Sequence, residues 1–155
     1  MPTATETRAV SATSRGWVLP LLIAASVALY VASLGAGFTF DDWHTVVGHP
    51  GVRGPLSFDG ILARDFWGHR FGDPDAVGTY RPLVTLSFWL EVHLVESTRL
   101  MHATNLALYA AVLFAGERFL RRFAPTSEAS RLLAVAAFGA LAIHTDVVPS
   151  ITGRS

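Results

Sequence analysis

Three long apolar runs dominate this chain, and a polar, turn-rich stretch separates the first from the others. From Trp17 to Phe40 the segment WVLPLLIAASVALYVASLGAGFTF carries no charge in 24 residues. A helix needs roughly 20 apolar residues to cross a hydrocarbon core about 30 Å thick, so residues 17–40 predict a first transmembrane helix. Pro20 falls in its first turn, where a missing N–H costs little. A cleaved signal peptide is the rival reading, because Arg15 precedes the run and Ser33, Gly35 and Ala36 end it. The run is longer than the roughly 7–15 apolar residues of a signal peptide.

A second run from Leu100 to Phe119 predicts a transmembrane helix over 100–120. His102 and Asn105 lie three positions apart, hence on one face near its start, and Glu117 and Arg118 mark its end. The third run, Leu132–Ile143, has 12 residues before His144. It makes a span over 132–151 only with Val147–Ile151 included. Residues 121–131 form the connecting turn, and 152–155 open a further outer loop.

Between the first two spans the pattern changes. Residues 41–82 hold six aspartates (Asp41, Asp42, Asp59, Asp65, Asp73, Asp75), seven glycines and four prolines, with Trp43, Phe58, Phe66, Trp67, Phe71 and Tyr80 scattered among them. So long a structureless loop is rare unless functional. Trp and Tyr favour the membrane interface, so the stretch predicts a loop packed on itself and on that boundary. Residues 83–98 alternate, with Val84, Leu86, Phe88, Leu90, Val92 and Leu94 apolar, which by itself reads as a half-buried strand. One strand beside a bilayer would leave its edges unpaired, and an interfacial helix over 83–98 is the preferred reading. Residues 1–16 are small and polar and predict a disordered tail.

Composition narrows the function. Only 15% of the 155 residues are charged and 51% are hydrophobic, where a soluble domain carries about 25% charged residues. Twelve cations, all arginine, balance twelve carboxylates for a net charge of zero, which argues against a nucleic-acid partner. There is no cysteine, so thiolate metal sites and cysteine nucleophiles are excluded. Arg118, Arg121, Arg122 and Arg131 cluster in the short connection after the second span, and positive charge marks the cytoplasmic side. The N-terminus then faces the cytoplasm, and the aspartate-rich loop faces out with His144, Asp146 and Arg154.

The polar residues out of place in such a chain share that outer face. Asp41 and Asp42 follow the first span, Arg81 precedes the interfacial segment, His102 and Asn105 open the second span, and His144 and Asp146 close the third. A carboxylate at a low-dielectric boundary is poised as a general base, and guanidinium groups bind phosphate in paired hydrogen bonds. Plainer roles compete: a span-ending Asp pair, a turn anchored by Arg81-Pro82, an interhelical His102–Asn105 bond, and a helix cap at 144–146. His44 and His49 beside Asp42 have a spacing that a metal could use.

Five patches together resemble one glycosyltransferase group. They are Phe38-Thr39-Phe40-Asp41-Asp42, Arg64-Asp65-Phe66-Trp67-Gly68, Tyr80-Arg81-Pro82-Leu83 with Leu86-Ser87-Phe88, Met101-His102 with Asn105 and Leu108, and His144-Thr145-Asp146-x-Val148 with Ile151-x-Gly153-Arg154. In order and spacing they look like the multispanning O-mannosyltransferase family with tetratricopeptide repeats, of the cadherin-targeting type, and its bacterial relatives. The chain departs from that pattern at Leu141-Ala142, where the family has His-Pro, and at Asp146, where it has glutamate.

The resemblance implies the lipid-donor (GT-C) glycosyltransferase fold, here an all-α membrane protein of about three spans with a long, partly helical first extracytoplasmic loop. It implies transfer of a sugar, such as mannose, from a polyprenyl-phosphate carrier to a protein or glycan acceptor on the outer face of the plasma or inner membrane. Asp42 or Asp41 becomes the base. Arg81 and Arg154, with His102 and Asn105, become candidates for the carrier phosphate and substrate. His144 and Asp146 fall where some members hold a divalent metal or the donor. The family is far longer, so the chain is expected to be an N-terminal fragment, inactive without the remaining spans. The alternatives are a small non-enzymatic membrane subunit whose outer loop binds a partner, and a secreted metal-binding protein released by cleavage near residue 36.

Overall fold

A computed structural model describes residues 16–154; the tail expected over 1–16 lies outside them apart from Gly16. The described residues form helices and turns with no strand, and a single bridge joins Arg64 to Arg70.

The uncharged run 17–40 does not form one helix. Helix α1 covers Val18–Ala28, a tight 3-10 turn follows at Val31–Gly35, and residues 36–39 have no regular structure. The Ser33 hydroxyl donates to the Tyr30 carbonyl at 2.7 Å, offering the backbone an alternative to the helical ladder. Gly35 and Gly37 then add freedom that a helix interior does not favour.

The aspartate-rich stretch is a chain of short elements: a π-helical turn at Trp43–Val47, α2 (Pro50–Arg53) and α3 (Phe58–Ile61). His49 caps α2, its Nδ1 accepting from the N–H groups of Gly51 and Val52 at 3.0 and 3.2 Å while Nε2 donates to the Asp65 carbonyl. Those partners require the neutral ring, and burial lowers its pKa from the ordinary 6.5. Asp65, 1% exposed, is the knot of the following loop, accepting from the N–H groups of Trp67, His69, Val77 and Gly78. Burial pushes its carboxyl upward, but these four donors outweigh burial and hold it below the usual 3.8. Gly51 and Gly60 meet backbone to backbone, and a Cβ on Gly51 would stand 1.9 Å from the Gly60 carbonyl oxygen.

The alternating segment is helix α4, Pro82–Leu94, with Pro82 in the first turn. It buries Thr85, Phe88 and Glu91, a period of three that overrides the apparent period of two. Residues 95–97 leave the helix, and Ser97 caps α5, Thr98–Phe123. At 26 residues and about 1.5 Å each, α5 is the longest element. Its buried stripe runs Met101, His102, Asn105, Leu106, Tyr109, Leu113 and Glu117.

Ser127 caps α6, Glu128–Gly139, which closes a bundle with α1 and α5. Tyr30, Leu106, Tyr109, Leu113, Val135 and Val148 form that core. The expected third span over 132–151 is broken. The Tyr109 hydroxyl donates to the Gly139 carbonyl at 2.7 Å, residues 140–143 turn, and only α7 (His144–Val147) and a 3-10 turn at Ile151–Gly153 follow. Pro149, which lacks an N–H, stands between these last two elements and prevents a continuous ladder. A second core of Val46, Val52, Phe66, Phe88, Met101 and Ile151 seats the loop on α4 and the start of α5. Among the described residues no helix is long and apolar enough to cross a membrane.

Candidate functional site

Consecutive carboxylates just after the irregular stretch 36–39 acquire different environments. Asp42 is fully buried. Its Oδ2 accepts from the Thr39 N–H at 2.9 Å and the Thr39 hydroxyl at 3.3 Å, and its Oδ1 accepts from the Thr152 N–H at 3.1 Å. That last bond closes 110 residues of chain and pins the final turn against the start of the loop. Asp41, its neighbour, is exposed. Just before them stands Phe40, the one non-glycine residue with positive φ among those described, at +38°. Successive side chains on a helical turn project about 100° apart, so one aspartate faces inward and the other out.

Asp41 lines a cleft of about 580 Å³ together with His102 of α5 and Thr145 and Asp146 of α7. Phe40, Thr39, Ser150 and Thr152 complete much of its wall. The tertiary structure therefore gathers Asp41, His102 and Asp146 from three distant segments. Among the described residues no group of three or more His, Asp or Glu is arranged to hold a metal. His49, which the sequence places in a metal spacing with His44, has both ring nitrogens engaged in capping α2 and bonding the 65 carbonyl.

Arg154, Asn105 and His144 are placed elsewhere, along a neighbouring groove of about 300 Å³ walled by Leu108, Tyr109 and Val112. Arg154 is the most thoroughly held cation in the fold. Its Nε donates to Asn105 Oδ1 at 2.9 Å, Nη1 to the Ser87 hydroxyl at 3.2 Å and Nη2 to the Met101 carbonyl at 2.9 Å. Glu91 Oε2 lies 2.9 Å from Nη1, and the Phe88 ring stacks 4.6 Å from the guanidinium. Burial lowers the Arg154 pKa, opposed by the charges of Glu91 and Asp42. With its donors so occupied, this guanidinium ties the last turn to α4 and α5. Asn105 adds to the tie, donating through Nδ2 to the carbonyls of Ser150 and Ile151. His144 donates from Nε2 to the Phe138 carbonyl at 3.0 Å and packs beside Tyr109.

Arg81 borders neither cavity. Its guanidinium stacks 4.8 Å from the Phe66 ring, and its carbonyl accepts from the Thr85 hydroxyl. Glu91 went unsingled by sequence reasoning, because a lone glutamate in an alternating segment carries no signal of a partner 63 positions away. Its one trace is its position on the Thr85–Phe88–Glu91 face, visible only once the helix is accepted.

No known family profile and no solved structure matches the chain. Curated relatives do. A protein O-mannosyl-transferase of Caenorhabditis elegans is 34% identical over 145 residues, covering 88% of this chain and 20% of the relative. The protein O-mannosyl-transferase Tmtc2 of Drosophila melanogaster is 33% identical, with 82% of this chain and 14% of the relative covered. TMTC1 of Mus musculus, also a protein O-mannosyl-transferase, is 32% identical over 87% of this chain and 14% of its own length. The chain thus spans about a fifth or less of the curated relatives it matches, and across most of its own length its homologues are protein O-mannosyl-transferases.

Proposed function

We propose that this chain is part of a membrane glycosyltransferase of the GT-C type that moves a sugar, mannose by analogy with its relatives, from a polyprenyl-phosphate carrier to a hydroxyl of a protein acceptor on the extracytoplasmic face. The observation that carries the reading is the cleft in which Asp41, His102 and Asp146 converge. In the proposed step the acceptor oxygen bonds to the anomeric carbon while the carbon–oxygen bond to the carrier phosphate breaks. The phosphate leaves with the electron pair, and the acceptor proton passes to a carboxylate. A base must reach its substrate. Asp41, exposed in the cleft, meets that requirement, whereas Asp42 holds the last turn in place from beneath.

Among the described residues the Arg81 guanidinium makes no hydrogen bond or ion pair, which leaves its donors for the carrier phosphate. Exposed apolar side chains on α1, α5 and α6, including Leu21, Leu108, Val112, Phe114 and Leu133, support contact between the bundle and lipid, and the arginines at 118, 121, 122 and 131 support an orientation with the N-terminus in the cytoplasm and the aspartate-rich loop outside. Transfer requires the rest of the enzyme, since the chain corresponds to so small a share of its relatives.

A chimera tests the reading: residues 17–154 replace the aligned segment of the C. elegans relative, and transfer is measured from a radiolabelled polyprenyl-phosphate mannose to a peptide acceptor. Asp41→Asn is expected to lower turnover at least a hundredfold, the contribution typical of general base catalysis, with the fold retained. Undiminished transfer by Asp41→Asn would remove the base from the scheme.

A further inference from the structure

His102 is 1% exposed, and neither of its ring nitrogens has a hydrogen-bond partner among the described residues. Buried polar groups are nearly always satisfied, so an orphan calls for a reason. This fold is able to satisfy a histidine: buried His49 uses both nitrogens, and His93 and His144 each reach a carbonyl. His102 lines the cleft, and the cleft is the place from which a partner can come.

The chemistry of the walls says what kind of partner fits. Two carboxylates, Asp41 and Asp146, face the space, together with Thr39, Thr145, Ser150 and Thr152, and no arginine does. The nearest cation in sequence, Arg154, is tied to Asn105, Ser87, Glu91 and the 101 carbonyl. An anion entering between two carboxylates would find no compensating charge. A neutral imidazole offers one donor and one acceptor, which matches a hydroxyl, itself both donor and acceptor, and carboxylates accept further hydroxyls. At the rim Phe40 is 91% exposed on its left-handed backbone. A strained, solvent-facing aromatic beside acidic groups is an apolar platform of the kind on which the C–H face of a sugar ring stacks.

We infer that the cleft is the subsite for the uncharged sugar ring, with His102 reading one of its hydroxyls, Phe40 stacking on the ring, and the carrier phosphate excluded. This deepens the transferase reading and rests on it. His102 is a specificity-determining residue in that scheme, and the phosphate binds outside the Asp41–Asp146 cleft.

The test uses the full chain, labelled with ¹⁵N-histidine, in detergent micelles, with methyl α-mannopyranoside and inorganic phosphate as separate probes. The mannoside is expected to move the His102 ring-nitrogen resonances, assigned by their loss in His102→Gln, and phosphate is expected to leave them unmoved. His102→Phe fills the same space without orphaned polar atoms. It is expected to melt no lower than wild type yet bind the mannoside at least tenfold more weakly, while His102→Gln, which keeps a donor and an acceptor, retains part of the affinity. A merely structural histidine would show neither the resonance shift nor that separation of stability from binding. Equal mannoside affinity in His102→Phe, a shift caused by phosphate, or no mannoside binding by the wild type would each overturn the inference. If Asp41→Asn still abolishes transfer in the chimera, those results sink this assignment alone. Mannoside binding through His102 combined with full transfer by Asp41→Asn would sink the catalytic reading instead.

Discussion

Replacing Arg154 with alanine removes one half of a buried charge pair and strands the other. In the native fold the Arg154 and Glu91 side chains are 2% and 10% exposed, and the guanidinium also supplies hydrogen bonds to Asn105, Ser87 and the Met101 carbonyl. Breaking a buried pair from one side costs about 3–5 kcal/mol, because the remaining charge is left without compensation. Against a total stability of about 5–15 kcal/mol, that is two to three and a half decades, roughly, in the folding constant at about 1.4 kcal/mol per decade. Denaturant titration in detergent, followed by tryptophan fluorescence and circular dichroism, measures the loss. Substituting both partners with apolar residues of similar volume, as in Glu91→Leu with Arg154→Met, is expected to recover most of it. The exposed pair Arg53–Glu96, at 31% and 60% exposure, is the internal comparison, and Arg53→Ala should cost no more than about 1 kcal/mol. A cost below about 1 kcal/mol for Arg154→Ala would refute the reasoning, since the last turn would then not be held by a desolvated tie.

Three further outcomes follow from local geometry. Burial lowers the His49 pKa from 6.5, so the unfolded chain takes up the proton first; this contribution is fully present above pH 6.5 and is lost as pH falls from there toward the folded value. His49→Asn keeps a good helix cap and should flatten the stability profile below pH 6.5 relative to wild type, as read by unfolding midpoints across a pH series; parallel profiles would contradict the capping role. A Cβ on Gly153 would stand 1.8 Å from the Val147 carbonyl oxygen, whereas one on Gly116 meets nothing within 4 Å. Gly153→Ala is therefore expected to undock the last turn and expose Asp42, visible as faster amide exchange at Thr152. Gly116→Ala, inside α5, should stabilise by about 0.5–1 kcal/mol, and the opposite ranking in thermal melts would contradict this packing.

The helical class and the separation of apolar runs from the aspartate-rich loop are legible from local pattern. Ser97 and Ser127, which each cap a helix by accepting an early N–H group, were singled out only by the structure. The lengths of the helices were less legible. The uncharged run 17–40 reads as one element by hydropathy, yet Ser33, Gly35 and Gly37 compete with the ladder, and α1 ends at Ala28. The residues 132–151 likewise divide around Gly139 and Pro149, because Tyr109 from another helix takes the Gly139 carbonyl.

The candidate site divides along the same line. That Asp41, Asp42, Arg81, His102, Asn105, His144, Asp146 and Arg154 are noteworthy could be read from residue type and spacing. Their sorting into two neighbouring cavities, a brace and a stacked guanidinium could not. Neighbouring aspartates are equivalent to any local rule, and what separates them is the tie of Asp42 to Thr39 and to an N–H donated by Thr152 from the far end of the described chain. Arg154 is likewise a phosphate ligand by type and a structural tie by environment, because Glu91 lies within 2.9 Å of it. Side-chain chemistry and local helix signals belong to the sequence alone. Burial, and with it the choice between a reactive group and a structural one, depends on which distant segment docks against each residue, and only the folded chain decides that.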